Sequence, residues 1–174
     1  MLLPTIHTIV LAVLTVLLGV ALYTDLRYGK IYNKLTLPCI AAGLALGFAG
    51  GGISGLLQSL AGIGLVLALY LILAPKAGVG GGDAKLMMAV ASLVGFKLAV
   101  WSMLFSAVIG GVLALVMMAR YRAMLSTTKN LATNLYLSLA LRVPTELSSG
   151  SKGMKVRYSP AIALGTLLVL LLKQ

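Results

Sequence analysis

Residues 5–24 run for twenty positions without a Lys, Arg, Asp or Glu. As an α-helix, such a stretch spans about 30 Å, the thickness of a bilayer's hydrocarbon core. In that medium every backbone amide needs a partner within the protein, which leaves helices or a closed barrel. Apolar runs recur at 35–50, 54–74, 84–96, 98–119 and 158–172, separated by polar or glycine-rich segments. Only 10% of the residues are charged, against roughly 25% in soluble domains. The expected fold is therefore an all-α membrane protein, a single embedded domain over residues 1–174.

The cations arrange these runs. Three of the fourteen Lys and Arg lie in residues 25–34, two in 75–85 and seven in 120–157. If all six runs cross, these three loops share one side, and only Lys97 and Lys173 fall opposite. If the short run 84–96 turned back instead, the seven cations of the long loop would change sides and the asymmetry would collapse. The positive-inside rule thus predicts six crossings with both termini outside the cytoplasm. Residues 1–22 lack Lys and Arg. A signal peptide starts with positive charge, so the first run is expected to be a retained helix. In the basic loop 120–157, residues 131–142 show no clean helical stripe and read as an interfacial helix or a linker.

The net charge of +11 does not indicate nucleic acid, because the cations mark loops rather than cluster with stacking aromatics. They suit orientation in the membrane and contact with anionic lipid. Cys39, the one cysteine, excludes an internal disulfide and a Cys-rich zinc site. No metal or cofactor is expected.

Only three acids are present, Asp25, Asp83 and Glu146. Glu146 reads as a solvated loop residue. Asp25 and Asp83 each sit where an apolar run meets a loop, and carboxylates at a bilayer are expensive and usually functional. Asp83 follows Gly80-Gly81-Gly82 and opens an apolar helix, so it suits an N-cap. The glycines also allow close approach of another backbone. The run lacks the GK[ST] ending of a phosphate loop. Asp25 lies at a helix C-terminus, where the dipole disfavours an acid. Two full crossings separate the acids, which places both at the cytoplasmic side.

A facing pair of carboxylates cannot both ionise and so shares one proton. Such a pair hydrolyses peptides: the ionised member takes a proton from water and the protonated member gives one to the scissile carbonyl. The helix opened by Asp83 favours negative charge there, which leaves Asp25 as the protonated member. His7, the one histidine, lies near the opposite face, so a Ser-His or Cys-His arrangement has no support. Lys85, Arg27 and Lys30 serve as topology markers, and Lys85 can also anchor a substrate or pair with an Asp.

Gly80-x-Gly82-Asp83 followed by Ala84-Lys85 resembles the GxGD signature of membrane aspartyl proteases. Asp25-x-Arg27 with Lys30-Ile31 and Asn33 resembles the first-Asp motif of type IV prepilin peptidases. Tyr158-Ser159-Pro160-Ala161-Ile162-Ala163 with Gly165 resembles their last-helix signature. The three stand in order along the chain. The resemblance implies a multi-pass inner-membrane aspartyl endopeptidase with Asp25 and Asp83 as the catalytic pair, supported by Gly80, Gly82, Lys85, Arg27 and Asn33. The substrates implied are prepilin-like precursors, cleaved after a short basic leader at the cytoplasmic face. The partners implied are the lipid bilayer and pilus-assembly or secretion machinery. Larger members carry CxxC pairs and N-methylate the mature pilin. Those cysteines are missing here, so the short, peptidase-only Tad/Flp-pilus type fits best. Tyr32 stands where Pro is common before the Asn.

The rival reading is a proton- or cation-coupled transporter subunit using the same two acids. That function prefers acids at the membrane midplane, in broken helices of paired repeats, whereas these lie at one edge and no repeat is visible. A catalytically idle assembly factor would not need the pair at all.

Overall fold

A computed structural model describes residues 2–77, 80–120 and 158–172, and every regular element among them is an α-helix. These are α1 (Leu2–Tyr28), α2 (Asn33–Ala77), α3 (Gly81–Arg120) and α4 (Ser159–Leu172). The first three are long and apolar enough to cross a membrane; α4 is apolar but has only 14 residues. The basic loop 121–157, with its expected interfacial helix and Glu146, lies outside the described residues.

Two of the helices are too long for one crossing. At 45 residues, a straight α2 would extend about 68 Å, twice the hydrocarbon core. It is interrupted at Gly52 (φ 59°, ψ −141°), inside the expected Gly turn, and α3 is interrupted at Gly95 (φ 76°, ψ 173°). Both conformations belong almost wholly to glycine, because a Cβ would collide with the backbone.

At Gly52 the chain doubles back. A Cβ at Gly47 would stand 2.6 Å from Ser59 Oγ and 3.1 Å from the Gly55 carbonyl oxygen. In a straight helix residues 47 and 59 would be about 18 Å apart. The first half of α3 then packs against both arms of α2. Gly43 meets Ser92 on one side, while Gly62 meets Ala91 and Gly95 meets Gln58 on the other. This enclosure accounts for the burial of Ala84, Leu86, Met87, Ala89, Val90, Ala91 and Leu93, which lie around nearly the whole circumference of the helix. Small residues at these crossings let helix backbones approach where lipid gives no hydrophobic drive for association.

Helix α1 packs on α2 and α4. Its buried stripe is Leu14, Leu17, Leu18, Ala21 and Asp25, a spacing of i, i+3, i+4, i+7 and i+11 that follows one face of a helix. Outward-facing Val16, Leu71, Val108 and Leu171 are exposed, as the lipid-facing side of a membrane protein requires.

The boundaries differ from expectation by up to one turn. Helix α1 continues past residue 24 to Tyr28, so Asp25 belongs to its last turn rather than to the loop. It stops where Gly29 turns left-handed (φ 63°) and donates its N–H to the Asp25 carbonyl at 2.9 Å, a glycine C-cap. Helix α2 starts at Asn33, two residues before the apolar run at 35–50, so Pro38 falls in its second turn. The Gly-rich connection is shorter than 75–85, since α2 reaches Ala77 and α3 begins at Gly81.

Backbone contacts divide the chain into two units, residues 1–110 with 157–174, and residues 111–156. Of the second unit, the described part is the continuation of α3 through Arg120.

Candidate active site

Asp25 is carried on the buried face of α1 and is only 5% exposed. A carboxyl group held that far from water needs a hydrogen-bond partner. The partner is Ser159, the first residue of α4, whose Oγ donates to Asp25 Oδ2 at 2.7 Å. Ser159 is itself 1% exposed, so the bond is sealed between helices. It joins positions 134 residues apart in sequence.

Asp83 lies in the first turn of α3. Expected as the residue just before the helix, it is instead inside it, because the helix begins at Gly81. Gly80 takes the capping role, its carbonyl accepting from the N–H groups of Asp83 (3.1 Å) and Ala84 (3.3 Å). The Asp83 carboxylate folds back over Gly80, where an added Cβ would stand 3.0 Å from Oδ2. A helix N-terminus is a favourable place for that negative charge.

The start of α4 meets Asp25 through Ser159 and α3 through Tyr158. The Tyr158 hydroxyl donates to the Ser106 carbonyl at 3.2 Å, and its ring lies over Gly110. The α4 helix is set close against α3 here, since Gly165 faces Ser106 with no room for a Cβ. The Tyr158 carbonyl caps the helix by accepting from Ala161 and Ile162.

The connection from α1 into α2 is also joined to the start of α3. Lys85 Nζ donates to Asn33 Oδ1 at 2.9 Å, and a Cβ on Gly82 would stand 3.3 Å from Ile31 Cβ. Thus Gly80, Gly82, Asp83, Lys85 and Asn33 gather at one end of the bundle, the end where α1 finishes beside Asp25. Arg27 does not join them. It donates to Tyr23 Oη at 2.7 Å and lies 5.9 Å and 5.7 Å from the ring centres of Tyr23 and Tyr28. These residues are exposed on the outer face of α1, an aromatic–cation arrangement suited to the membrane interface.

Sequence reasoning placed Tyr158 and Ser159 in a motif but gave neither a role. One signal was available. A small hydroxyl residue before Pro160 opens the last apolar helix, on the side to which charge parity assigns both acids. Among the described residues no three His, Cys, Asp or Glu side chains gather as a metal site would require.

The sequence model of the type IV leader peptidase family matches residues 12–115. The chain belongs to the type IV leader peptidase family. The matched stretch holds both Asp25 and Asp83 and ends before α4. No curated protein and no solved structure matches the chain. This leader peptidase is thus a membrane protein with a helical bundle, in which residues beyond the family match complete the surroundings of Asp25.

Proposed function

We propose that the protein is a membrane-embedded aspartyl endopeptidase. It removes the basic leader from type IV prepilin-like precursors at the cytoplasmic face of a bacterial inner membrane, with Asp25 and Asp83 as its catalytic pair. The observation carrying this reading is the buried Asp25–Ser159 hydrogen bond, which binds one acid to the start of α4, while the other acid stands in the first turn of α3, the helix against which α4 is set. Doubling back of α2, and the breaks at Gly52 and Gly95, support six crossings with the basic loops in the cytoplasm and both termini opposite.

In this mechanism Asp25 starts protonated and Asp83 ionised. Water gives one proton to Asp83 as its oxygen bonds to the scissile carbonyl carbon. The carbonyl oxygen takes the Asp25 proton, forming a neutral gem-diol. Asp25 then accepts a proton from one diol hydroxyl while Asp83 protonates the amide nitrogen and the C–N bond breaks. Both carboxyl groups return to their starting states, so no further reactant is consumed. The leader's apolar stretch is held between helices in the bilayer and its basic end remains in the cytoplasm. Pairing of Lys85 with Asn33 ties the start of α2 to the start of α3, where Asp83 stands. The missing CxxC pairs favour peptidase activity without N-methylation, as in the Tad/Flp-pilus type.

The test is co-expression with a prepilin-like precursor, comparing wild type with Asp25→Asn and Asp83→Asn. Either substitution is expected to stop leader removal while the protein still inserts at wild-type abundance. Normal processing by both variants would end the protease reading. Ion flux that depends on the acids, with no processing by wild type, would favour the transporter instead.

A further inference from the structure

We infer that Ser159 is a positioning residue for Asp25, holding one carboxyl oxygen so that the other is presented for proton transfer. This rests on the peptidase reading for its catalytic consequence, but not for the bond itself. Three observations lead to it. The Ser159 Oγ–Asp25 Oδ2 distance is 2.7 Å, and both residues are buried, so water does not compete for the bond. Ser159 opens α4, where Tyr158 is fixed by its bond to the Ser106 carbonyl and Gly165 is set close against Ser106. The hydroxyl is therefore delivered by a helix whose position is set at two further points. Ser106, which receives both of those contacts, stands on α3, the helix that carries Asp83, so α4 joins Asp25 to the helix of the other acid.

A hydroxyl suits this task chemically. It can donate to Oδ2 whether Asp25 is ionised or carries its proton on Oδ1. A Lys or Arg in its place would favour the ionised form and oppose proton return. Loss of the hydroxyl would free the carboxyl to rotate about its terminal torsion, which is broad and nearly two-fold. Ground-state affinity for the leader would be little changed, since the buried Ser159 hydroxyl is taken up by Asp25.

The experiment uses the full chain reconstituted in lipid nanodiscs. The probe is a synthetic precursor with a basic leader ending in Gly, followed by an apolar helix. Ser159→Ala is expected to lower kcat about 10-fold and leave KM within about twofold, and Ser159→Thr, which keeps the hydroxyl, is expected to restore most of kcat. A second readout does not need turnover: labelling of Asp25 by a hydrophobic carbodiimide, read by mass spectrometry. Labelling is expected to be several-fold faster in Ser159→Ala, and like wild type in Ser159→Thr. Should the Ala variant not be recovered, Ser159→Cys, with its weak donor, takes its place in both measurements. Equal Asp25 labelling in wild type and the hydroxyl-free variant overturns the inference, whatever the activity. Faster labelling with no cleavage by wild type supports the hold on Asp25 and sinks the peptidase reading. Reduced kcat that Thr does not restore, with unchanged labelling, assigns Ser159 a packing role and also overturns the inference.

Discussion

If α4 positions Asp25, displacing α4 should disable the enzyme even when no polar side chain is removed. Gly165→Ala does this. The added Cβ would stand 2.6 Å from the Ser106 backbone nitrogen and 2.8 Å from its Cα. Ordinary contacts are about 3.5–4.0 Å, so the helices must separate by about 1 Å at this point. The obstacle is backbone, which cannot swing aside as a side chain can. Ser159 lies on the same short helix, in its first turn. Carried along by about 1 Å, its 2.7 Å bond to Asp25 would lengthen to roughly 3.7 Å, beyond hydrogen-bond range.

Two costs follow. Overpacking the crossing should destabilise the fold by about 1–3 kcal/mol. Misplacing a group by about 1 Å beside the chemistry can cost up to about 100-fold in rate. The assay is leader removal from a co-expressed precursor, normalised to the amount of protein in the membrane, together with thermal unfolding in detergent. Processing is expected to fall about 10- to 100-fold. Ser106→Ala should not rescue Gly165→Ala, because the clash is with backbone atoms. Gly64→Ala serves as the matched control. Its Cβ meets nothing within 4 Å, and Ala there should be neutral or favour the helix by up to about 1 kcal/mol. Wild-type processing and stability in Gly165→Ala would refute the claim that this close crossing fixes α4.

Two further predictions concern the framework. Gly52→Ala and Gly95→Ala place a Cβ at positive φ in regions that admit little but glycine, so each should destabilise by about 1–3 kcal/mol, seen as a lower unfolding midpoint in detergent. Removing the Lys85–Asn33 bond by Lys85→Ala or Asn33→Ala should cost about 0.5–1.5 kcal/mol. In a double-mutant cycle on unfolding free energy, the double variant should lose less than the sum of the two single losses, whereas strict additivity would mean the two side chains do not interact.

Part of the site was legible in the order of the apolar runs. The helical spacing Leu14, Leu17, Leu18, Ala21 and Asp25 puts the acid on the stripe that α1 buries, but α1 is apolar on every side, so period alone does not single that stripe out. Counting apolar runs put Asp83 at the same end, and the return of α2 past Gly52 provides the physical route. The short run 84–96 looked doubtful because thirteen apolar residues rarely span. In the structure it is the first half of α3, buried against both arms of α2. What pattern could not supply was the partner of Asp25. Nothing in residues 12–115 contains it, and a hydroxyl 134 positions away leaves no periodic trace. Arg27 lies apart from the other named residues for a geometrical reason. It stands two residues from Asp25, and a helix turns neighbours that close about 200° apart, toward Tyr23 and Tyr28 and away from the acid.

The choice of partner bears on how an acid can be kept inside a membrane helix and still work. A carboxyl group on a buried stripe must be satisfied, or the fold would bear a desolvation cost of several kcal/mol. A cation would satisfy it at the expense of its chemistry, since a fixed ion pair resists protonation. The partner of Asp25 is instead a neutral hydroxyl, which meets the demand for a hydrogen bond while leaving the charge of the acid free to change. The basic residues lie mainly in the loops, and the nearest of them, Arg27, is turned outward onto tyrosine rings. Under the proposed mechanism, keeping the cations away from Asp25 leaves it able to gain and lose a proton. A lysine placed at position 159 would reverse that separation, and Ser159→Lys should therefore abolish processing even if it pairs with Asp25 and leaves the fold intact. Leader removal by a folded Ser159→Lys variant at the wild-type rate would show that the charge state of Asp25 is irrelevant to turnover.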